Sequence, residues 1–261
     1  MGIKSRIRRE GKQELAMIQD IVTVFIKEFK EILQMRGTKR SGWINILVVI
    51  GVMGVYMPLM SGREWVTNLL NPISFAWLPL FLVIGVVADS FAGERERHTL
   101  ETLLASRLPD ASILLGKIAA GVVYSLGIGI TSLLIGGVVA NLGSLEEGFV
   151  YYPLDFLGIL WALSLLLALL MASLGTLVSL RASSVRQASQ TLSLSMLVFW
   201  VGIFLVTRFL PEEARVLLSG FFTPERLPML VAMVVLGLVV ADAVLISVAM
   251  LRFKRSRLIL D

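Results

Sequence analysis

The chain has 261 residues, of which 56% are hydrophobic and only 16% are charged, and its mean hydropathy is +0.83. Soluble domains average ~45–50% apolar and ~25% charged residues, so this composition argues against a soluble enzyme and indicates a membrane protein. The chain has no cysteine and a single histidine, His98. This excludes a disulfide framework, an all-cysteine zinc site and any site built from several imidazoles.

The segment before the first apolar run has the periodicity of an amphipathic helix. Apolar residues recur at steps of three and four from Leu15 to Leu33, whereas charged residues such as Lys27 and Glu31 occupy the opposite face. Lys27 is spaced to pair with Glu31 one turn later. We expect an anchor helix in the cytoplasmic membrane interface, within an amino-terminal segment of residues 1–42. An added role in steering the first span stays open.

Six apolar stretches are long enough to be membrane spans, since about 20 residues cross ~30 Å of hydrocarbon. Short polar or Pro- and Gly-containing turns separate them. The sequence thus predicts an all-α integral membrane protein: an interfacial amphipathic helix, a six-span transmembrane domain over residues 43–251, and a tail over residues 252–261. The predicted spans are residues 43–60, 73–92, 112–140, 154–180, 190–207 and 229–251.

Two features inside the spans predict how the helices bend and pack. Pro79, in the middle of the second span, is expected to kink it because it lacks a backbone N–H. Small residues four apart favour close helix contacts in lipid, where no hydrophobic effect drives association. These small residues are Gly121, Ser125 and Gly129 in the third span and Ala168, Ala172 and Thr176 in the fourth.

Asp242 is the clearest ionisable residue inside a predicted span, since it lies mid-way along the sixth. A carboxyl group that faced lipid would cost several kcal/mol, so Asp242 should face a helix partner or a hydrated cavity, or stay protonated. Two interpretations are open: a structural hydrogen bond inside the bundle, or a position on a translocation path.

The orientation follows from the distribution of lysine and arginine. Of the 24 basic residues, only Arg63, Arg208, Arg215 and Arg226 lie on one side of the predicted spans, and the others lie on the opposite side. The positive-inside rule then places both termini on the cytoplasmic side. The sequence thus predicts a multi-pass protein of the cell membrane. Because the basic residues line span ends, where they meet anionic headgroups, no nucleic-acid partner is expected.

The chain carries no motif for nucleotide or metal chemistry. A phosphate-binding loop is excluded, since Gly11-Lys12 is followed by Gln13 and Gly116-Lys117 by Ile118, where Ser or Thr would be needed. We therefore expect no catalytic residue, no metal site and no ATPase activity in this chain.

The loop between the second and third spans, residues 93–110, has a distinct pattern. It predicts a short helix, ended by Pro109, with an apolar stripe and a polar face. Acidic and basic residues balance along the loop, whereas a helix that only bound anionic lipid would be basic, so the pattern favours a protein partner. The stripe consists of Leu100, Leu103, Leu104 and Leu108.

Here the sequence resembles the permease subunits of ATP-binding-cassette (ABC) transporters of the type-2 exporter class. In that family a Glu-rich stretch after the second span ends in Gly or His and then Thr-Leu-Glu-x-Leu-Leu, and a Gly-Lys pair begins the third span. This chain has Glu94-Arg95-Glu96-Arg97-His98-Thr99-Leu100-Glu101-Thr102-Leu103-Leu104 and then Gly116-Lys117. His98 stands where Gly is commoner. Span number, interfacial helix and cytoplasmic termini extend the resemblance over the whole chain.

The resemblance implies that the 93–110 loop is a coupling helix seated in a groove of a separate nucleotide-binding subunit. Glu94, Glu96 and Glu101 would position this loop, and the leucines would fill the groove. The full set of implied coupling residues is Glu94, Glu96, His98, Thr99, Leu100, Glu101, Leu103 and Leu104.

The resemblance also implies that this chain is half of a translocation path. A second permease subunit, identical or similar, and ABC ATPase subunits would complete the exporter. ATP and Mg²⁺ would be bound by the ATPase and no cofactor by this chain.

Two other functions remain as alternatives. An ATP-independent secondary transporter would use Asp242 to carry the coupling ion, and a membrane scaffold would use the 93–110 loop only to dock a partner. Dependence of transport on ATP distinguishes the exporter from both.

Overall fold

The computed structural model describes residues 3–35, 41–68, 70–144, 146, 148–213 and 226–253, and the regular elements among these residues are all helical. The predicted tail therefore lies mostly outside the described residues. The helices are α1 (Ile3–Met35), α2 (Ser41–Val49), a π-helical segment (Ile50–Tyr56), α3 (Met57–Ser61), α4 (Glu64–Thr67), α5 (Leu70–Ile73), a 3₁₀ turn (Ser74–Ala76), α6 (Leu78–Glu96), α7 (Leu100–Leu104), α8 (Asp110–Val139), α9 (Leu154–Ser179), α10 (Val185–Phe209) and α11 (Leu227–Arg252).

Within the described part of the chain, five helices are long and apolar enough to cross a membrane. They are α6, with the short turns before it, and α8, α9, α10 and α11. Their bounds lie within a few residues of the second to sixth predicted spans. The chain is therefore a multi-pass membrane protein with an all-helical fold.

The first predicted span, residues 43–60, differs from the others. Helices α2 and α3 enclose a π-helical segment, and the apolar part, Ile46–Ser61, is shorter than the ~20 residues of a full span. The π-helical segment packs against α8. A Cβ atom on Gly54 would lie only 3.0 Å from the carbonyl oxygen of Ser132, so glycine permits this close contact. A sixth membrane crossing stays a prediction.

Helix α1 contains the predicted amphipathic stretch and packs along α8. Its side toward α8 includes buried Val24 and Glu28, whereas Leu15 and Ile18 of the apolar stripe are more than half exposed. Gly116 permits the contact, because a Cβ atom there would lie 2.6 Å from the Val24 side chain. Part of the polar face of α1 therefore contacts α8, through Glu28. The location of α1 in a membrane interface stays a prediction.

The bundle centres on α6 and α9, which form the most extensive helix contact. The small residues predicted in the fourth span are buried, and the hydroxyl of Ser179 accepts hydrogen bonds from the backbone N–H groups of Phe91 and Ala92 at 3.2 and 3.0 Å. The expected mid-span kink at Pro79 is wrong. Pro79 lies in the first turn of α6, where a missing N–H removes no helical hydrogen bond.

Candidate functional site

The 93–110 loop begins with a tight helix end at His98. The His98 N–H donates to the Arg95 carbonyl at 3.1 Å, and the Thr99 N–H donates to the Glu94 carbonyl at 2.9 Å. These two bonds form a Schellman motif, in which the residue after the helix C-cap takes a left-handed conformation. His98 has φ +56°, the region that favours glycine. The position at which the sequence pattern commonly has Gly is thus a position that requires positive φ.

The segment after this turn presents polar side chains to solvent and leucines to the bundle. Glu96, His98, Thr99 and Glu101 are exposed. Leu100 and Leu103 are partly buried and pack against the hydrophobic core, as does Leu108 beyond the end of α7. The predicted leucine stripe therefore holds α7 against its own chain, and the exposed surface is mainly polar. The side chain of Leu104 lies outside the described part of the structure.

Glu94 is placed differently from the other predicted coupling residues, because it is buried. Its carboxylate accepts a hydrogen bond of 2.8 Å from Lys117, the lysine of the Gly-Lys pair on α8. The Lys117 ammonium also lies 3.0 Å from Glu28 of α1 and donates to the Ser90 carbonyl at 3.0 Å. The Lys117 side chain is 1% exposed. One buried lysine thus joins α1, α6 and α8.

Lys27 extends these contacts into an ionic cluster made of Lys27, Glu28, Glu31, Glu94 and Lys117. The Lys27 ammonium lies 3.2 Å from Glu28, 3.3 Å from Glu31 and 3.8 Å from Glu94. The predicted Lys27–Glu31 pair is therefore present. Burial lowers the pKa of Lys27, but the carboxylates of Glu28 and Glu31 raise it by more, so the net pKa lies above its usual value.

Two side chains at the end of α6 connect the 93–110 loop to the turn between α9 and α10. The Arg95 guanidinium donates to the carbonyls of Leu180, at 3.0 Å, and Ala182. The Glu96 carboxylate accepts from the Val185 N–H at 3.0 Å. Arg95 binds carbonyl groups just beyond the end of α9, and Glu96 caps the beginning of α10. A positive charge is favourable at the carboxyl end of a helix and a negative charge at its amino end.

Asp242 lies near the middle of α11. The residue is 5% exposed, and neither carboxylate oxygen has a hydrogen-bond partner among the described residues. Helix α11 packs chiefly on α9. Asp242 is buried, as expected for a charged residue in a span, but the structural hydrogen bond inside the bundle is not formed with any residue that the structure describes.

Little in the sequence indicated the ionic cluster or the brace formed by Arg95 and Glu96, which binds the turn between α9 and α10. In the sequence, Lys117 was identified only as part of the Gly-Lys pair, and Arg95 only as one charge of a balanced loop. A signal did exist, because the spacing that favours a Lys27–Glu31 pair also marks the face of α1 that meets Lys117.

Within the described residues, no three His, Asp or Glu side chains are grouped so that they could hold a metal ion.

A comparison with protein families agrees with this architecture. The family model for "ABC-2 type transporter" matches residues 19–235, which is well over half of the chain. The chain belongs to the ABC-2 type transporter family. No curated protein matches it closely enough to add a relative. The matched range includes the cluster residues of α1, the 93–110 loop and the start of α11.

Membership of the ABC-2 family identifies the chain as a membrane-spanning permease of an ABC transporter, without an ATPase motif of its own. The family also implies an ABC ATPase partner. At the end of α6 and in α7, exposed polar side chains such as Glu96 and Glu101 lie beside residues that bind the neighbouring helices.

Proposed function

We propose that this chain is the transmembrane subunit of an ATP-driven exporter, coupled to a separate ATPase subunit through the 93–110 loop. The observation that carries the proposal is the brace at the end of α6. Arg95 and Glu96 bind the neighbouring helix turn, and Glu94 binds Lys117. A force applied to the loop would therefore act on α9, α10, α8 and α1 together.

The mechanism follows from this connection. ATP binding can change the permease only if the ATPase has a higher affinity for one conformation of the loop than for another. Within the proposal, exposed Glu101 and Thr102 contact the ATPase. The loop is held in shape by Glu94, Glu96, His98, Thr99, Leu100 and Leu103. Leu104 is proposed to contact the ATPase together with Glu101 and Thr102.

The proposed assembly contains two permease subunits, identical or similar, and two ATPases that bind ATP and Mg²⁺. Helices α10 and α11 support this assembly, since only 6% of the most apolar part of each is buried within the chain. Their apolar side chains are available to lipid and to a second permease. Within this proposal, both termini lie on the cytoplasmic side of the cell membrane, the same side as the 93–110 loop.

The sharpest test of coupling is a charge reversal at Glu101. The permease, tagged at its carboxyl end, is extracted gently from its native membrane, and an ATPase that copurifies with it is identified by mass spectrometry. Glu101→Lys should reduce copurification of the ATPase and transport-stimulated ATP hydrolysis while insertion stays normal. Glu101 suits the test because it is exposed, whereas Leu103 also packs against the permease core.

The matched control is Glu212→Lys, the same charge reversal at an exposed glutamate beyond the end of α10. We expect this variant to keep its ATPase. If Glu101→Lys and Glu212→Lys behave alike, the loop assignment is wrong. If the wild-type chain purifies without any ATPase and hydrolyses no ATP in its membrane, the scaffold and secondary-transporter alternatives replace the exporter.

A further inference from the structure

A cavity of about 420 Å³ lies at one end of the bundle, where α9 and α11 end and α10 begins. Its volume falls in the ~300–1,000 Å³ range of sites that bind small molecules. Two arginines line it: Arg181, in the turn after α9, and Arg252, the last residue of α11. No acidic side chain among the described residues lines it. The cavity wall is therefore positively charged.

The two arginines lack counter-ions. Neither Arg181 nor Arg252 forms an ion pair within the part of the chain that the structure describes, and both are exposed. By contrast, Arg97 at the end of α6 lies 3.2 Å from Asp89. Two cations that share one cavity repel each other, so an anion bound between them is favoured.

Gln187, in the first turn of α10, adds an uncharged donor to the cavity wall. Its side-chain oxygen accepts from the backbone N–H of Ser183 at 2.9 Å and from the Ser183 hydroxyl at 2.8 Å. A backbone N–H needs an acceptor, so these bonds fix the orientation of the amide and leave its NH₂ group available as a donor. The Thr191 hydroxyl donates to the Gln187 carbonyl at 2.9 Å. Two guanidinium groups and one amide remain as donors, a set that suits a phosphate.

The cavity lies at the end of the bundle that carries the 93–110 loop. The carbonyl of Ala182, in the cavity wall, accepts from Arg95 of α6. Phe253, just beyond α11, packs on Phe91 of α6 with the ring centroids 5.0 Å apart. The positive-inside rule assigns this end to the cytoplasm, and membrane-spanning helices end at the level of the headgroups. In the cytoplasmic leaflet these include anionic phospholipids, which basic pockets between spans bind.

The polarity of the cavity changes along the helices. Val248 precedes Arg252 by four residues on α11, and Leu177 precedes Arg181 by four at the end of α9. Four residues correspond to ~6 Å along a helix, so each arginine lies about one turn further out than an apolar side chain that lines the same cavity. A phospholipid has the same order, with a charged phosphate above the glycerol esters and acyl chains. A soluble phosphate would use only the outer, charged part.

We infer that this cavity binds the headgroup of an anionic phospholipid, with Arg181 and Arg252 on its phosphate and the Gln187 amide as a further donor. The apolar part of the wall contacts the glycerol region of the lipid. A lipid held in this way links the ends of α9, α10 and α11. The inference goes beyond the proposed export function, because binding needs only the predicted membrane orientation and neither ATP nor an ATPase.

The first test measures lipid binding to the full-length permease in detergent by native mass spectrometry. Phosphatidylglycerol is compared with phosphatidylcholine that has the same acyl chains, and it should bind more tightly. Arg181→Gln and Arg252→Gln should each weaken binding of phosphatidylglycerol about 5-fold, the effect expected for one basic residue near an anionic lipid. Binding of phosphatidylcholine should change less than ~2-fold, since its headgroup has no net charge.

The matched control is Arg186→Gln. Arg186 is exposed in the same first turn of α10 as Gln187 but does not line the cavity. Its replacement should change binding of phosphatidylglycerol less than ~2-fold, because exposed charges outside the site are screened. This control distinguishes a site from the general attraction of basic residues to anionic lipid. Equal losses in Arg181→Gln, Arg252→Gln and Arg186→Gln would overturn the inference.

A second measurement uses the unaltered chain and so does not depend on how a variant folds. Phenylglyoxal modifies accessible guanidinium groups, and peptide mapping by mass spectrometry reports Arg181, Arg186 and Arg252 separately. The permease is compared in nanodiscs of phosphatidylcholine alone and in nanodiscs that also contain phosphatidylglycerol. Phosphatidylglycerol should slow modification of Arg181 and Arg252 severalfold and leave that of Arg186 nearly unchanged.

The inference is overturned if phosphatidylglycerol protects Arg186 as well as Arg181 and Arg252, or if either cavity variant binds it as tightly as the wild type. Millimolar inorganic phosphate distinguishes the two sources of phosphate. If it protects Arg181 and Arg252 as strongly as the lipid does, the site belongs to a soluble phosphate and the lipid assignment is wrong. A failure to copurify an ATPase would leave all these results unchanged, so this inference and the proposed function fail independently.

Discussion

Lys117 of α8 lies 2.8 Å from Glu94 of α6 and 3.0 Å from Glu28 of α1, so one ammonium group holds three helices together. The side chains of Lys117 and Glu94 are 1% and 5% exposed. Removal of one partner would therefore leave a charge that is mostly buried. The Gly-Lys pair in the second turn of α8 has a structural basis in this contact, since Gly116 lets α1 approach and Lys117 forms an ion pair with Glu28 of α1.

Removal of the Lys117 charge should destabilise the protein strongly. Lys117→Met leaves two buried carboxylates without their main partner, and breaking a buried ion pair costs about 3–5 kcal/mol of the free energy of unfolding. Denaturant unfolding in mixed micelles measures the loss. Lys30→Met, at an exposed lysine of α1, is the control and should change the value by less than ~0.5 kcal/mol. Addition of Glu94→Gln to Lys117→Met should restore part of the stability, whereas purely additive losses would contradict the ion pair.

The left-handed conformation of His98 gives a second prediction. His98→Gly should leave the free energy of unfolding within ~1 kcal/mol of wild type, because relief at φ +56° offsets the greater entropy of glycine in the unfolded chain. His98→Val should lower it by about 1–2 kcal/mol, since a branched Cβ is disfavoured at positive φ. Thermal unfolding in detergent ranks the variants. A valine variant as stable as the glycine variant would show that the Schellman turn is not formed.

The two glycines of the π-helical segment should respond differently to an added methyl group. A Cβ atom on Gly54 would meet the backbone of Ser132 at 3.0 and 3.1 Å, whereas one on Gly51 meets nothing within 4 Å. Gly54→Ala should therefore separate this segment from α8 and cost about 1–3 kcal/mol of the free energy of unfolding. Gly51→Ala is the control of identical chemistry and should be neutral or slightly stabilising in the same unfolding assay. If Gly54→Ala and Gly51→Ala change the free energy of unfolding equally, the π-helical segment does not pack on α8 through Gly54.

The cap that Glu96 forms on α10 is testable by hydrogen exchange. Glu96→Ala removes the acceptor of the Val185 N–H, a hydrogen bond to a charged group worth about 1.5–3 kcal/mol. Deuterium exchange of the first turn of α10, followed by mass spectrometry, should become at least ~10-fold faster. Glu101→Ala removes an exposed carboxylate of the same loop and should leave that turn unchanged. If both variants exchange alike, Glu96 does not cap α10.

The sequence alone determined the membrane class and the spans from α6 to α11. A long apolar run has few alternatives in lipid, because its backbone groups must be satisfied within the segment itself. The motif over residues 94–104 and the Gly-Lys pair were likewise sufficient to indicate the ABC permease family, which the family comparison confirms. These are local properties, and local composition is enough to predict them.

Only the tertiary structure decided which polar residues meet. Sequence periodicity placed Lys27 and Glu31 on a polar face and Glu94 on the loop, but their convergence on Lys117 depends on how α1 crosses α8. The same holds for Pro79, which became a helix start because the preceding chain turns there. Ion pairs and helix ends are set by the distances between segments, and these follow from packing of the whole bundle and not from the order of residues in any one helix.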